Sequence, residues 1–166
     1  MAPMTNETCK TCKGPKAKYQ CGICGECTCK KCTQFQTETF SYLLKVPETL
    51  THTQYCSQCF EEHVAAPLHD YEQTVEEAKE IVVFSKEYTK QTRLLSRRAD
   101  VLKVSDCEDE TDALMRMSFQ AVKLGYNALV DVEFKNKKVI NGSHKRFIVD
   151  ATSIPTIIDK NRDYHD

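Results

Sequence analysis

Cys9-Lys-Thr-Cys12-Lys-Gly-Pro-Lys-Ala-Lys-Tyr-Gln-Cys21-Gly-Ile-Cys24-Gly-Glu-Cys-Thr-Cys29-Lys-Lys-Cys32 is followed, after a gap of 23 residues, by Cys56-Ser-Gln-Cys59. These four Cys-x2-Cys pairs decide the fold of the N-terminal part. Two residues between ligands let the chain turn so that both sulfurs point at one ion, and four pairs supply eight thiolates, enough for two tetrahedral Zn²⁺ sites. Spacing alone leaves the pairing open, because sequential and interleaved groupings use the same eight residues.

Nine of the ten cysteines lie in the first 59 residues of a 166-residue chain, so their excess marks a local module. From residue 9 to 59 no period of 2.0 or 3.6 is sustained, and such a segment needs an external staple. Residues 1–7 carry no apolar run of the kind that directs secretion, and no stretch approaches the ~20 apolar residues of a membrane span. The expected setting is cytoplasmic and reducing, where clustered thiols hold metal rather than form disulfides. Lys+Arg number 23 and Asp+Glu 24, a net charge of −1, which argues against a strongly basic nucleic-acid binder. Asn141-Gly142-Ser143 matches the glycosylation sequon and reads as a turn.

Beyond residue 70 the composition becomes apolar and β-branched. Strands are expected at Ile81-Val82-Val83-Phe84, Val101-Leu102-Lys103-Val104, 128–134 and 147–151. Leu114, Met117, Ala121, Val122 and Leu124 recur at helical spacing over 108–124. Ser105 or Asp106 is expected to cap that helix, and Gly125 to end it. Residues 60–80 read as a short helix and then a linker interrupted by Pro67. The expected fold class is α+β: a two-zinc treble-clef or cross-brace finger over residues 1–70, then residues 71–166 as an antiparallel sheet with one main helix, in the order β-β-α-β-β. Alternation in 127–135 predicts one wet sheet face, and self-association through an exposed apolar face is a further expectation.

The cysteine order, with its four-residue gap Cys24-Gly-Glu-Cys-Thr-Cys29 and its close Tyr55-Cys56-Ser57-Gln58-Cys59-Phe60, resembles the FYVE-type zinc finger over about residues 9–65. The resemblance implies cross-braced ligation, with Cys9, Cys12, Cys29 and Cys32 on a first zinc and Cys21, Cys24, Cys56 and Cys59 on a second. Lipid-binding FYVE domains carry a basic Arg-Arg/Lys-His-His-Cys-Arg run. This chain has Ala17-Lys18-Tyr19-Gln20-Cys21-Gly22 at those positions, no tryptophan, and the polar loop Lys13-Gly14-Pro15-Lys16-Ala17-Lys18. A RING-type finger is a competing cross-brace, but it places a histidine among its middle ligands, and none lies between Cys9 and Cys32.

Cys27 is expected to be a spare thiol, and His52, His63 and His69 surface residues. No base is identifiable beside Cys107, which is not expected to act as a nucleophile. The lysines of the first 45 residues are expected to offset thiolate charge. Farther along, the segment from Ala113 to Phe134, with Leu124-Gly125-Tyr126-Asn127-Ala128-Leu129-Val130, resembles small bacterial domains labelled heavy-metal-binding, which implies a compact β,α,β unit that assembles into rings in its relatives. The metal label does not carry over, because residues 108–155 contain one histidine and no cysteine. The expected function is a non-enzymatic adaptor with two structural zinc ions and a protein partner. A phosphoinositide or anionic-lipid module is the alternative, a RING-like ubiquitin-ligase component the second alternative, and nucleic acid is not an expected partner.

Overall fold

In a computed structural model that describes residues 8–88, 90, 92–159 and 161, the chain divides into two compact units, Met1–Glu72 and Gln73–Asp166. Residues 1–7, on which the reading of the N-terminus rests, lie outside the described residues.

The first unit is built from two small hairpins. Strand β1 (Tyr19–Gln20) pairs antiparallel with β2 (Cys27–Thr28), and β3 (Thr33–Phe35) with β4 (Gln54–Cys56). A short helix α1 (Ser57–Cys59) then runs through a π turn (Phe60–Val64) into α2 (Ala65–Lys79). Buried apolar side chains are few: Phe40, Leu50, Tyr55, Val64 and Tyr71 are the large ones, with the Phe40 and Tyr71 rings edge-to-face at 4.9 Å.

The expected linker at Pro67 is helical instead. The π turn explains why: the Ala65 N–H bonds to the Phe60 carbonyl, five residues back, so the ladder changes register just ahead of the proline. Pro67 therefore follows a turn already out of the regular i→i−4 ladder, so its missing N–H interrupts less than it would within an unbroken α-helix.

The second unit is a four-stranded sheet, β5 (Val82–Ser85), β7 (Ala128–Asn141), β8 (His144–Thr156) and β6 (Leu102–Cys107), in that spatial order. Helix α3 (Glu110–Lys123) lies between β6 and β7 in sequence. The sheet is mixed rather than antiparallel: β5 runs parallel to β7, and the intervening β6 and α3 supply the long crossover that parallel pairing requires. The last two strands are also longer than their apolar runs, because cross-strand pairing extends them out to Asn141↔His144 around a Gly142-Ser143 turn.

The main core joins Ala113, Met117 and Ala121 of α3 to Leu102, Val104 and Cys107 of β6, Leu129 and Val132 of β7, and Val149 and Ala151 of β8. Met117 packs between the two alanines, spaced at i, i+4 and i+8, which lets the helix approach the sheet closely. Leu124, counted with the helix face from its spacing, is 61% exposed because it is the C-cap. The N-cap is Asp109, not Ser105 or Asp106: its carboxylate accepts the Asp112 N–H at 2.7 Å. Residues 105 and 106 are still strand, with Asp106 in a left-handed conformation at an irregularity in the β6–β8 register. At the other end the Tyr126 N–H bonds to the Ala121 carbonyl and the Gly125 N–H to that of Val122, a Schellman close that uses Gly125 at φ +86°.

A second irregularity corrects the expectation of one wet face. Asp131 is left-handed, the β7–β8 register shifts between Val130 and Glu133, and side-chain alternation slips there. Leu129 and Val132 thus both join the helix-side core, while Ala128 and Val130 form a smaller cluster with Phe84 and Ile158. Arg97 ties the preceding loop to this bulge: its guanidinium donates to both Asp131 oxygens, at 2.7 and 3.2 Å, and to the Thr92 carbonyl and hydroxyl. Asn127 clamps the segment that follows β8, donating to the Ile158 carbonyl at 3.0 Å and accepting its N–H at 2.8 Å.

Replacing fully buried Leu129 by alanine is expected to cost about 2–5 kcal/mol. Asp109→Ala is expected to cost about 1 kcal/mol. Urea unfolding followed by far-UV circular dichroism measures both.

Candidate metal centre

The two hairpins determine which cysteines meet. The first pair is held beside β2 by the Lys10 N–H, which donates to the Cys27 carbonyl at 3.0 Å, and the chain leaving β2 delivers Cys29 and Cys32 to the same place. The second pair is held beside β4 by the Gly22 N–H, which donates to the Gln54 carbonyl at 3.0 Å, and the last residue of β4 and the end of α1 supply Cys56 and Cys59. The grouping is interleaved: Cys9, Cys12, Cys29 and Cys32 form one set and Cys21, Cys24, Cys56 and Cys59 the other, with all four sulfurs of each within 4.8 Å of one another.

These separations fit metal coordination. Cys12 Sγ lies 3.7 Å from Cys29 Sγ, and Cys24 Sγ 3.8 Å from Cys56 Sγ. A disulfide would bring two sulfurs to about 2 Å, whereas a tetrahedron built on metal–sulfur bonds of ~2.3 Å has edges of ~3.8 Å. The donor set is all sulfur, which suits a soft or borderline cation and not the oxygen-seeking calcium or magnesium. The described residues are thus compatible with two bound metal ions.

Electrostatics within each set is divided. In the first, the Cys12 N–H lowers Cys9 to about 6 despite burial, with help from the Cys29 and Thr11 N–H groups. Cys29 is lowered chiefly by the Cys32 N–H, while hydrogen bonding to Cys29 and burial push Cys32 up to about 12. In the second, burial raises Cys21 less than the N–H groups of Cys56, Cys24 and Ile23 lower it, leaving it at about 6. Burial raises Cys56 and Cys59, and the surrounding sulfurs raise Cys59 further. Four thiols this close cannot all ionise without a compensating cation. Part of that compensation comes from Lys10, whose ammonium donates to Cys24 Sγ at 3.5 Å and whose own pKa is raised by that bond.

Cys27 belongs to neither set and lies in β2 opposite Gln20. None of His52, His63 and His69 belongs to either set among the described residues. His52 nevertheless has a packing role that its sequence position did not signal: a Cβ on Gly22 would collide with both its Cβ and its imidazole. The ring also stands edge-on to Tyr55 at 6.1 Å. Tyr55 is fully buried, its hydroxyl 2.8 Å from the Thr49 carbonyl and accepting the His52 N–H at 3.2 Å, so it anchors the loop that carries His52 to Gly22. Cys107, in the second unit, is buried in the core beneath α3, and burial raises its pKa.

Comparison with family models, with curated proteins and with solved structures finds no match to this chain. No helix among the described residues is long and apolar enough to cross a membrane.

Gly22→Ala is expected to destabilise the metal-loaded first unit by about 1–3 kcal/mol through overpacking against His52. Adding His52→Gly, which removes the Cβ along with the imidazole, should relieve most of that overpacking, a non-additivity that a double-mutant cycle in denaturant measures.

Proposed function

We propose that the first unit is a FYVE-like cross-brace finger holding two structural zinc ions, and that the protein is a non-enzymatic adaptor that docks a protein partner. The observation that carries this reading is the pair of closed four-cysteine sets. With four sulfurs at each ion, no position remains for an activated water, and a catalytic zinc needs one open. Zinc is the cation that all-thiolate tetrahedra in knuckle spacing favour, and eight thiolates holding two of them would replace the apolar core this unit lacks.

The finger also presents apolar groups to solvent. Phe35, on β3, is 51% exposed with its ring edge-on to Tyr19 at 5.2 Å, and Leu44 is 88% exposed. Exposed aromatic and aliphatic anchors of this kind suit a protein partner. The basic loop at residues 13–18 offers cations but no apolar side chain for a bilayer, so this site supports lipid binding less well.

Metal analysis of protein purified without added zinc should give a ratio near two per chain. Cys29→Ser should lower it to about one and Cys27→Ser leave it at two. The first set includes half-buried Cys29 and Cys32, whereas Cys21, Cys56 and Cys59 of the second are buried. A chelator is therefore expected to draw zinc out in two phases, with Cys29→Ser removing the faster. For the adaptor role, proteins retained by the zinc-loaded chain should be lost on Phe35→Ser with Leu44→Ser. Flotation with phosphoinositide vesicles that survives moderate salt, or ubiquitin transfer with a conjugating enzyme, would replace that role with a lipid or ligase one.

A further inference from the structure

The near-zero charge of the whole chain conceals a local excess in the second unit. Strand β5 last pairs with β7 at Ser85↔Val132, and β6 with β8 at Cys107↔Val149. Beyond those points β7 and β8 continue alone to Asn141↔His144, and every residue from 135 to 147 is exposed. At ~3.4 Å per residue the seven positions from Lys135 to Asn141 project about 20 Å. This ribbon holds Lys135, Lys137, Lys138, Lys145 and Arg146, with His144 at the turn and no acidic residue. Asp150, at its base, takes up Lys137 in an ion pair. No carboxylate pairs with Lys138, Lys145 or Arg146 among the described residues.

Cross-strand register shows how these groups are arranged. Lys138 faces Phe147 and Ile140 faces Lys145 on one side of the ribbon, while Val139 faces Arg146 and Asn141 faces His144 on the other. Ile140 is 61% and Phe147 67% exposed. Cations and apolar groups therefore alternate on both sides. An element that lies on a membrane separates them, with one apolar face and one charged. A groove between phosphate backbones instead encloses a ribbon and meets cations on both sides at once. The major groove of B-DNA, about 12 Å wide, admits a two-stranded ribbon, whereas that of A-form RNA is too narrow for side chains to read. Apolar side chains among the cations suit thymine methyl groups, and the Asn136 and Asn141 amides suit base edges.

We propose that the second unit binds double-stranded DNA by inserting the 135–147 ribbon into a groove, with Lys138, Lys145 and Arg146 on the phosphates. The site lies wholly in this unit, so it stands or falls independently of the adaptor role of the finger.

The test uses the full metal-loaded chain and a fluorescently labelled 25-base-pair duplex of mixed sequence, with anisotropy titrations between 50 and 200 mM salt. Saturable binding is expected, with log K falling linearly in log salt. K138Q/K145Q/R146Q should weaken binding at least tenfold at the lowest salt and flatten the slope by about 2 to 3, at ~0.9 per phosphate contact. Phe147→Ser should weaken binding with the slope unchanged, and K13Q/K16Q/K18Q, in the finger, should alter neither. Circular dichroism and metal content establish that all variants are folded. The proposal is overturned if the wild-type chain fails to bind duplex at 50 mM salt, if the ribbon variants bind as wild type, if only the finger variant loses binding, or if the chain floats with phosphatidylserine vesicles and ignores DNA.

Discussion

Eight sulfurs gathered into two groups, each less than 4.8 Å across, are the constraint on which the first unit depends. As thiolates they repel one another, and as thiols they are poor substitutes for a core. Backbone N–H groups resolve part of the conflict by drawing Cys9 and Cys21 toward the thiolate, and Lys10 adds a positive charge at Cys24. The remainder calls for a cation. Strands of two or three residues and a handful of buried apolar side chains could not hold this arrangement against chain entropy alone. Metal–sulfur bonds would therefore carry the stability that packing carries elsewhere, making occupancy and folding one equilibrium.

The second unit solves the same problem by burial. A helix with small residues at its contact face packs onto a sheet whose two bulges, at Asp106 and Asp131, redirect side chains so that both faces of β7 are covered around Leu129 and Val130. The bulges need partners of their own: the Asp106 N–H donates to Asp150, and Arg97 grips Asp131 with two hydrogen bonds. Asp150 thus joins the bulge at Asp106 to Lys137 at the foot of the ribbon, and Lys137 with the Asp106 N–H holds its pKa below the usual carboxylate value. The projecting hairpin continues the β7–β8 pairing beyond the points where β5 and β6 stop.

Much of this architecture was legible in the residues. The eight ligand candidates follow from spacing, because a Cys-x2-Cys knuckle needs only local geometry, and the α3 helix follows from its apolar repeat and its terminal glycine. The bulge at Asp131 was not legible, since the stretch Leu129 to Phe134 alternates as a regular strand would and only pairing with β8 reveals the slip. The helix through Pro67 was hidden because the residue that ordinarily ends helices is accommodated by a π turn five residues long.

Local chemistry thus determined, from the sequence by itself, that the chain has a cysteine-stapled part and an α+β part, and which thiols are available as ligands. Tertiary structure decided the interleaved grouping of those thiols, the parallel pairing of β5 with β7, the burial of Cys107 and the projection of residues 135–147 beyond the sheet. Each of these depends on residues far apart in the chain meeting through backbone hydrogen bonds between strands. Such bonds are open to any residue type except proline as donor, so composition and spacing leave little trace of which strands will pair.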